Sequence, residues 1–437
     1  MVKNLNFKSI FSDSTLNGRT LFFFLLFLSA SSASISQANE IKVQELTFNE
    51  YLQQVLLHNL SFIREKYEVS ATEASLLAAK VYENPELEML SPQFMREEFS
   101  NFPANIEYEL QIPIVLFGKR RYRIEQARAE KLAANANLED FLLRLRADAA
   151  RNFIEVLKNQ LLIEKMESIL EQWNSLIQVN TDRNQNINRR SKIDSLQIRI
   201  ETRTFKAGIL DLKIRFTELK ANTYLLLGGI PKDSLVFDGD LMINLQIPHI
   251  DSLLKKLSEN RPDLISASYK LNAAEAGVQK AQANRLPNIN LIVGYEYGSE
   301  FRQPFNAFLA GVALPLKFSG LNSGKYKVSL NRLEQAKLSV DIESLEAETE
   351  LRKSWEKYRL IKQKRTLFAE SILEDAQNAR SMTMQKYKEG QASLLSVFES
   401  ERTLSEIFRR YYDTLSSYAH SIIDLSEASG TWFVEWD

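Results

Sequence analysis

The sequence predicts a mainly α-helical protein with a small β part, built as two structural repeats. Two pairs of short runs alternate polar and apolar residues, and a long helical pattern follows each pair. The second copy lies 202 positions after the first, so that Pro85 corresponds to Pro287 and Gly118 to Gly320. One ungapped offset over most of the chain indicates a duplicated unit. Each predicted repeat is a β-hairpin followed by a long helical hairpin.

The amino terminus, residues 1–38, is predicted to be a secretory signal peptide. Basic residues precede the apolar run 21–28, and small residues follow it, with Ala38 or Ala33 ending the two candidate cleavage sites. The run is too short to span a bilayer as a helix. A disordered or weakly anchoring amino terminus is the alternative. No other segment reaches the ~18 apolar residues of a spanning helix, so we expect any membrane crossing to use strands.

Composition excludes several classes of function. The chain has 55 basic and 56 acidic residues, no cysteine and three histidines. Balanced charge gives no reason to expect a nucleic-acid partner, and the lack of cysteine excludes disulfides, thiolate zinc sites and a cysteine nucleophile. The sequence shows no glycine-rich phosphate loop, no cluster of metal ligands and no serine–histidine–aspartate set. We therefore expect neither an enzyme nor a cofactor.

The repeats and their strands define the predicted domain boundaries. After the signal peptide, these are a first repeat over residues 39–228 with strands at about 87–95 and 105–115, an equatorial linker over 229–249, a second repeat over 250–430 with strands at about 288–298 and 306–316, and a carboxy-terminal tail over 431–437.

The strand around residues 105–115 shows the clearest alternation. Ile106, Tyr108 and Leu110 fall on one face, whereas Glu107 and Glu109 fall on the other. An apolar face and an acidic face suit a transmembrane strand between lipid and water. Two soluble hairpins covering a helical core would give the same pattern.

The helical segments have matching lengths. One helix is predicted over residues 118–182, and two shorter ones, 191–227 and 250–284, together match it. At ~1.5 Å per residue each repeat forms a helical hairpin roughly 100 Å long. A helix over 47–83, with Thr47 and Glu50 predicted to form a capping box at its start, precedes the first hairpin. Another from about 322 to 388 follows the second.

Helix 191–227 carries two apolar heptad seams, which include Leu196 and Ile200 in one and Ile198 and Ile209 in the other. Two seams are expected of a helix in the wall of a closed ring, although a helix half-buried in an ordinary bundle is the alternative. The basic residues between the seams are predicted to face a lumen. They are Arg199, Lys206, Lys213 and Lys220.

Basic residues begin the long helix of the first repeat, at Gly118, Lys119, Arg120 and Arg121. They oppose the helix dipole, so a negative partner is expected. Phospholipid headgroups would serve if this strand–helix junction, with Gly320 in the second repeat, lies at the membrane. Nearby carboxylates would serve equally well.

Several motifs in this order resemble the TolC family of outer-membrane efflux channels, including its metal-efflux branch. The matching pieces are IPIVLFGKRR, ENRPDL, LPNINLIVGY, LPLKFSG and YKEGQASLLSVFESERTL. The resemblance implies a homotrimer in which three chains form a 12-stranded β-barrel continued by a periplasmic α-barrel. It also implies an exit duct in the outer membrane of a Gram-negative bacterium, in contact with outer-membrane lipid, a periplasmic adaptor and an inner-membrane pump. A soluble periplasmic coiled-coil adaptor or scaffold is the alternative function.

The resemblance further implies a gate at the periplasmic tip of the helices. The tip turn is matched by Tyr387 and Gly390, and the family's arginine is replaced by Ala392. The pore positions are matched by Asp194, Gln197, Ser396 and Glu399. Carboxylates repeated around a pore would attract cations, whereas solvated carboxylates on a helix surface are the alternative.

Overall fold

A computed structural model describes residues 43–90, 106–183, 189–230, 234–242, 245, 247–300, 303–315 and 322–434. Two compact units are distinguished, one of residues 1–44 and 232–235 and the other of residues 45–231 and 236–437. The first consists mostly of residues outside the described ranges, among them the predicted signal peptide. The larger unit contains every helix and the four-stranded sheet described below.

Helices dominate the described part of the chain, which confirms the predicted fold class as mainly α with a small β part. The helices are α1 Phe48–His58, α2 Leu60–Lys80, α3 Lys119–Arg183, α4 Arg189–Leu226, α5 Ile250–Lys255, α6 Leu257–Asn260, α7 Pro262–Ala283, α8 Ser323–Leu367, α9 Leu373–Lys388 and α10 Leu394–Ser429. A π-helical turn, Phe368–Ile372, joins α8 to α9. Among the described residues, no helix is long and apolar enough to cross a membrane.

The strands form two sheets, one with two strands and one with four. They are β1 Val43–Leu46, β2 Glu86–Leu90, β3 Ile106–Ile114, β4 Ser234–Phe237, β5 Ile289–Glu300 and β6 Gln303–Ala313. The larger sheet has the order β2-β3-β5-β6, and all its neighbours are antiparallel. The central pairing of β3 with β5 joins the two repeats, and β2 and β6 are left at its edges.

The predicted equatorial linker, residues 229–249, is not wholly irregular. It contains β4, which pairs with β1. The Phe237 ring lies 5.2 Å from that of Tyr51 and 5.0 Å from that of Phe153. Four residues are too few for a recognisable alternation, so the aromatic contacts that stabilise the strand are not visible in the sequence.

Two predicted helices are interrupted. The predicted helix 47–83 begins with the expected capping box of Thr47 and Glu50 but breaks at Asn59. The Asn59 side chain accepts from Phe62 N–H and donates to the Leu226 carbonyl 3.0 Å away, which stabilises the break. The predicted helix 322–388 is divided by the π-helical turn.

The duplication extends to backbone contacts. Gly228 and Gly430 end α4 and α10 with φ of +73° and +70°. A Cβ at Gly228 would lie 2.2 Å from the His58 carbonyl oxygen, and one at Gly430 would lie 2.5 Å from that of Asn260. Both pairs of positions are separated by 202 residues. In each repeat, the end of a long helix therefore packs against the end of the corresponding short helix: α4 against α1, and α10 against α6.

Helix α3 lies at the centre of the helical layer. Its first part packs between α2 and α7, and its second part packs between α4 and α10. Helix α8 packs against α7 and α10, and α9 packs against α10. One edge of the layer is thus formed by α2 and α4 and the opposite edge by α8 and α9.

Candidate channel wall and gate

One face of the four-stranded sheet is apolar. Alternate residues of a strand share a face. The register brings the apolar residues of all four strands onto the same face, where Asn306 is the one residue with a side-chain amide. The apolar residues are Leu87, Met89, Ile106, Tyr108, Leu110, Ile112, Leu291, Val293, Tyr295, Tyr297, Phe308, Ala310 and Val312. Phe308 is 87% exposed although it is large and apolar. A surface of this kind is suited to hydrocarbon rather than to water.

The opposite face is acidic. It carries Glu86, Glu88, Glu107, Glu109 and Glu296. Glu88 lies directly opposite Glu109, and Glu107 directly opposite Glu296. Like charges in direct cross-strand pairs destabilise a sheet, and the described residues of these strands include no basic residue. This face is therefore suited to water and to counter-cations.

A left-handed turn joins β3 to α3. Phe117 and Gly118 have φ of +59° and +71°. The glycine adopts this conformation without steric cost, which explains why a glycine precedes the basic residues. The corresponding Gly320 lies outside the described residues.

The basic residues at the start of α3 find partners within the chain. The Lys119 ammonium is 2.6 Å from the carbonyl oxygen of Leu286. Arg120 donates to the Lys80 carbonyl at the carboxy-terminal end of α2. Arg121 pairs with Glu125 at 2.7 Å; the arginine side chain is largely exposed, and the glutamate is partly buried. Carbonyl groups and one carboxylate offset the unfavourable dipole, and contact of this junction with the membrane stays a prediction.

The tip turn follows α9. Gly390 has φ of +76°, and its N–H donates to the Tyr387 carbonyl. The Tyr387 ring is half-buried and packs against an apolar cluster formed by α3, α4 and α10. Ser393 then caps α10 by accepting from Ser396 N–H at 3.1 Å. The YKEG sequence, residues 387–390, thus ends one helix so that the next can begin at Leu394.

The four predicted pore residues differ in their surroundings. Glu399 is exposed in α10, and Gln197 is exposed in α4. The Ser396 hydroxyl lies 2.9 Å from that of Ser393, within the helix cap. Asp194 belongs to α4, but its side chain lies outside the described part. The structure therefore neither joins Asp194 to Glu399 nor separates them, and their role in a gate stays a prediction.

A buried ion pair near the tip was not predicted. Glu401 is only 1% exposed, and its carboxylate accepts from Arg380 Nε at 2.5 Å. Arg380 also donates to the Gln172 side chain at 3.0 Å. This arginine thereby connects α9, α10 and α3. The sequence did indicate that Glu401 is buried, because Glu401 occupies a heptad position between the core residues Phe398 and Leu404.

Trp173 is the centre of an aromatic cluster above the tip. Its ring is 4.5 Å from that of Phe205 and 4.9 Å from that of Phe398, and the second contact is edge-to-face. The cluster joins α3, α4 and α10. It therefore stabilises the lower part of the helical layer.

Both edges of the helical layer expose apolar residues. On α4, Ile198 and Ile209 are buried within the chain, whereas Ile200 is 62% exposed. The exposed seam of α4 consists of Leu196, Ile200, Leu210 and Ile214, and α8 on the opposite edge exposes Leu338, Ile342 and Leu345. Of the predicted lumenal basic residues, Lys213 pairs with Glu167 at 2.6 Å. Two apolar edges on one chain indicate two surfaces for neighbours.

The described residues contain no group of three or more histidine, cysteine, aspartate or glutamate side chains arranged to hold a metal ion.

Comparison with known proteins agrees with this arrangement. Residues 253–431 match the family of outer membrane efflux proteins. This match covers most of the second repeat. It is 23% identical to the cobalt-zinc-cadmium resistance protein CzcC of Cupriavidus metallidurans, over 80% of this chain and 81% of the relative. It is 25% identical to SilC of Salmonella typhimurium, a probable outer membrane lipoprotein, over 76% of this chain and 74% of the relative.

The fold of this efflux protein is also that of solved channels. The MtrE outer membrane channel of Neisseria gonorrhoeae superposes with a TM-score of 0.75 at 16% identity, over 88% of this chain and 89% of that one. The efflux protein therefore resides in the outer membrane of a Gram-negative bacterium and extends into the periplasm. It serves as the exit duct of a tripartite efflux system, together with an adaptor and a pump.

Proposed function

We propose that three copies of this chain close into the duct. The observation that carries the proposal is the pair of open edges, which the sheet and the helical layer share. Strand β2 and helices α2 and α4 lie at one edge, whereas β6, α8 and α9 lie at the other. Contact between two different edges is heterologous, and heterologous contacts form a ring when the rotation closes.

Strand number favours three copies. Barrels of bacterial outer membranes have at least about eight strands, so four strands cannot close alone. Three chains would supply twelve, with β2 of one subunit beside β6 of the next. The apolar sheet face would then contact lipid, and the acidic face would line the pore. The exposed seams of α4 and α8 would meet in the same interfaces below the sheet.

The duct would act passively. It would perform no chemistry of its own and use no cofactor, and the pump would supply energy and select the cargo. The cargo class is left open, since the name of CzcC refers to divalent metals but nothing in this chain's described residues forms a metal cluster.

Imaging tests the trimer directly. Negative-stain particles of the detergent-purified protein are expected to show a threefold hollow cylinder, and cell fractionation is expected to leave the protein in the outer-membrane pellet. A compact monomer would contradict the proposal. Release of the protein in osmotic-shock fluid would instead favour the soluble adaptor.

We further propose that Asp194 and Glu399, each repeated three times, restrict the periplasmic entrance. Replacing both with alanine removes six negative charges from a trimer and should raise the single-channel leak or weaken block by divalent cations. Planar-bilayer recordings measure both quantities. Unchanged conductance together with unchanged block would remove these residues from the gate.

A further inference from the structure

A groove lies over α7, between α3 and α8, at the end of the helical layer next to the four-stranded sheet. It has a volume of about 700 Å³. Asn284 and Asn322 form its upper end, where α7 and α8 adjoin the sheet. The Asn322 side chain donates to the Asn284 carbonyl at 3.0 Å. This contact fixes the position of the two helices along each other.

Small residues of α7 form the floor of the groove. They are Ala273, Ala274, Gly277 and Ala281. A Cβ at Gly277 would have no atom within 4 Å, so a larger side chain there would extend into the groove. The half-exposed Val328 adds an apolar contact from α8. This floor offers methyl groups rather than polar side chains, so it is suited to the uncharged part of a ligand.

The groove carries a net positive charge. Four cations line it together with a single carboxylate, that of Glu130. No carboxylate in the described part of the chain lies within ion-pair distance of any of the four cations. Lys280 Nζ is 3.2 Å from Gln126 Oε1, but a neutral amide does not cancel its charge. The cations are Lys270, Lys280, Lys325 and Arg332.

The four cations form two pairs at different heights. Helix α7 leads into β5 and α8 follows β6, and these strands are antiparallel neighbours, so the two helices run in opposite directions. The upper pair, Lys280 and Lys325, lies within one helical turn of the asparagine contact. The lower pair, Lys270 and Arg332, lies about three to four turns from it. At ~1.5 Å per residue the two pairs are roughly 10–15 Å apart.

We propose that this groove binds an elongated small molecule with an anionic group at each end and an uncharged middle. One anionic group meets the upper pair, the other meets the lower pair, and the middle lies on the alanine and glycine floor. Lysine and arginine hold phosphonate and carboxylate groups by charge-assisted hydrogen bonds. Such a site goes beyond passive conduction, which requires no ligand of a particular length, and it is complete within one chain.

Two probes of different length test this arrangement. Octamethylene bisphosphonate and trimethylene bisphosphonate each carry two phosphonates, but only the longer one reaches both pairs of cations. Their binding to the full-length protein in nanodiscs of zwitterionic lipid is measured by calorimetry, with empty nanodiscs as the blank. The longer probe should bind at least about tenfold more tightly, because the second phosphonate adds contacts without a second association step.

Substitutions separate the charges from the floor. Lys280→Gln together with Lys325→Gln removes the upper pair, so the longer probe should bind about tenfold more weakly and the two probes should then bind equally. Gly277→Leu keeps every charge but covers the floor and should abolish binding of the longer probe. Glu130→Gln removes the one repulsive charge and should tighten binding of both probes about threefold.

Lys327→Gln is the matched control, because Lys327 is an exposed cation of α8 that does not line the groove. It should leave both affinities unchanged, and circular dichroism should show that each variant is folded. The proposal is overturned if neither probe binds saturably to the wild type, or if the wild type binds both equally. It is also overturned if loss of the upper pair leaves the preference for length intact, or if Gly277→Leu binds as the wild type does.

Discussion

Two glycines show the duplication at the level of single atoms. Gly228 faces the His58 carbonyl, and Gly430 faces that of Asn260. In each repeat a neighbouring side chain also donates to a backbone carbonyl near the helix end, but the residue type differs. Asn59 donates to the Leu226 carbonyl at 3.0 Å, and Arg261 donates to that of Ala428 at 3.1 Å. The contact between helix ends has thus been kept while the residue that makes it differs between the repeats.

Substituting Gly430 tests this contact. Gly430→Ala should destabilise the protein by at least about 2 kcal/mol, because alanine is strained at positive φ and its Cβ would overlap backbone atoms. Thermal unfolding of the solubilised protein measures the loss. Gly277→Ala is the control, since no atom lies within 4 Å of its Cβ position in α7; it should stabilise by about 0.5 kcal/mol. Equal effects of the two substitutions would contradict this account.

The buried pair of Arg380 and Glu401 gives a second prediction. Arg380→Gln leaves a buried carboxylate without its cation, which should cost on the order of 3 kcal/mol. Hydrogen exchange in α9 and the first turns of α10 should accelerate. Arg359→Gln removes a similar pair with Glu356, whose side chains are both more than half exposed, and should change stability by no more than about 0.5 kcal/mol. If exchange near the tip is unchanged by Arg380→Gln, the pair does not hold these helices together.

Prediction from the sequence was uneven among single residues. The capping box at Thr47 was identified correctly because its pattern is local. Glu401 was missed although its heptad position pointed inward. Trp173 could not be singled out, because its environment depends on Phe205 and Phe398, which are distant in sequence. The pore residues stay predictions, since their roles depend on neighbouring subunits.

Among the elements, the sheet combines two unlike faces. Alternation in β3 alone predicted an apolar and an acidic face, and the register extends this division to β2, β5 and β6. The second hairpin was harder to interpret, because its polar-side positions include the small residues Ala307, Gly311 and Ala313. Ala307 lies opposite Glu296 of β5, and this register places the three small residues on the acidic face.

The acidic face should influence ion selectivity. Glu107→Gln together with Glu109→Gln removes two charges per subunit from the proposed pore lining, so the preference for cations over anions should fall. The reversal potential across a planar bilayer in a potassium chloride gradient measures this preference. Glu259→Gln, outside the sheet, should leave it unchanged. A double variant with wild-type selectivity would place this sheet face away from the conducting path.

Helix breaks were less predictable than helices. Asparagine at position 59 disfavours a helix only weakly, and the break depends on its bond to the distant Leu226 carbonyl. The π-helical turn between α8 and α9 contains no glycine or proline from which it could have been predicted. Long helices were predictable because heptad periodicity accumulates over many residues, whereas an interruption depends on a few tertiary contacts.

For the whole molecule, the exposed seams should determine assembly. Ile200→Asp or Leu345→Asp places a charge in an apolar interface, where it cannot be solvated. Either substitution should convert the trimer to smaller species, which light scattering coupled to size exclusion would detect. Asn222→Asp adds the same charge at an exposed position of α4 outside the seam and should leave the mass unchanged. Trimers that withstand both seam substitutions would exclude these edges as the interface.

The overall architecture was the most predictable feature. The 202-residue offset and the helix lengths together indicate the duplicated, mainly helical fold. Ring closure is a property of several chains and is not contained in one. The predicted signal peptide and Gly320 lie outside the described residues, so they stay predictions.

The unpaired margins of the larger sheet also affect how the protein reaches its destination. A newly translocated copy would carry two rows of amide and carbonyl groups able to pair with any extended polypeptide, which is the usual route to aggregation. Escort by a periplasmic chaperone, or very rapid encounter with sister copies, would keep these rows from pairing wrongly. Overproduction should therefore yield aggregates wherever synthesis outpaces delivery to the bilayer.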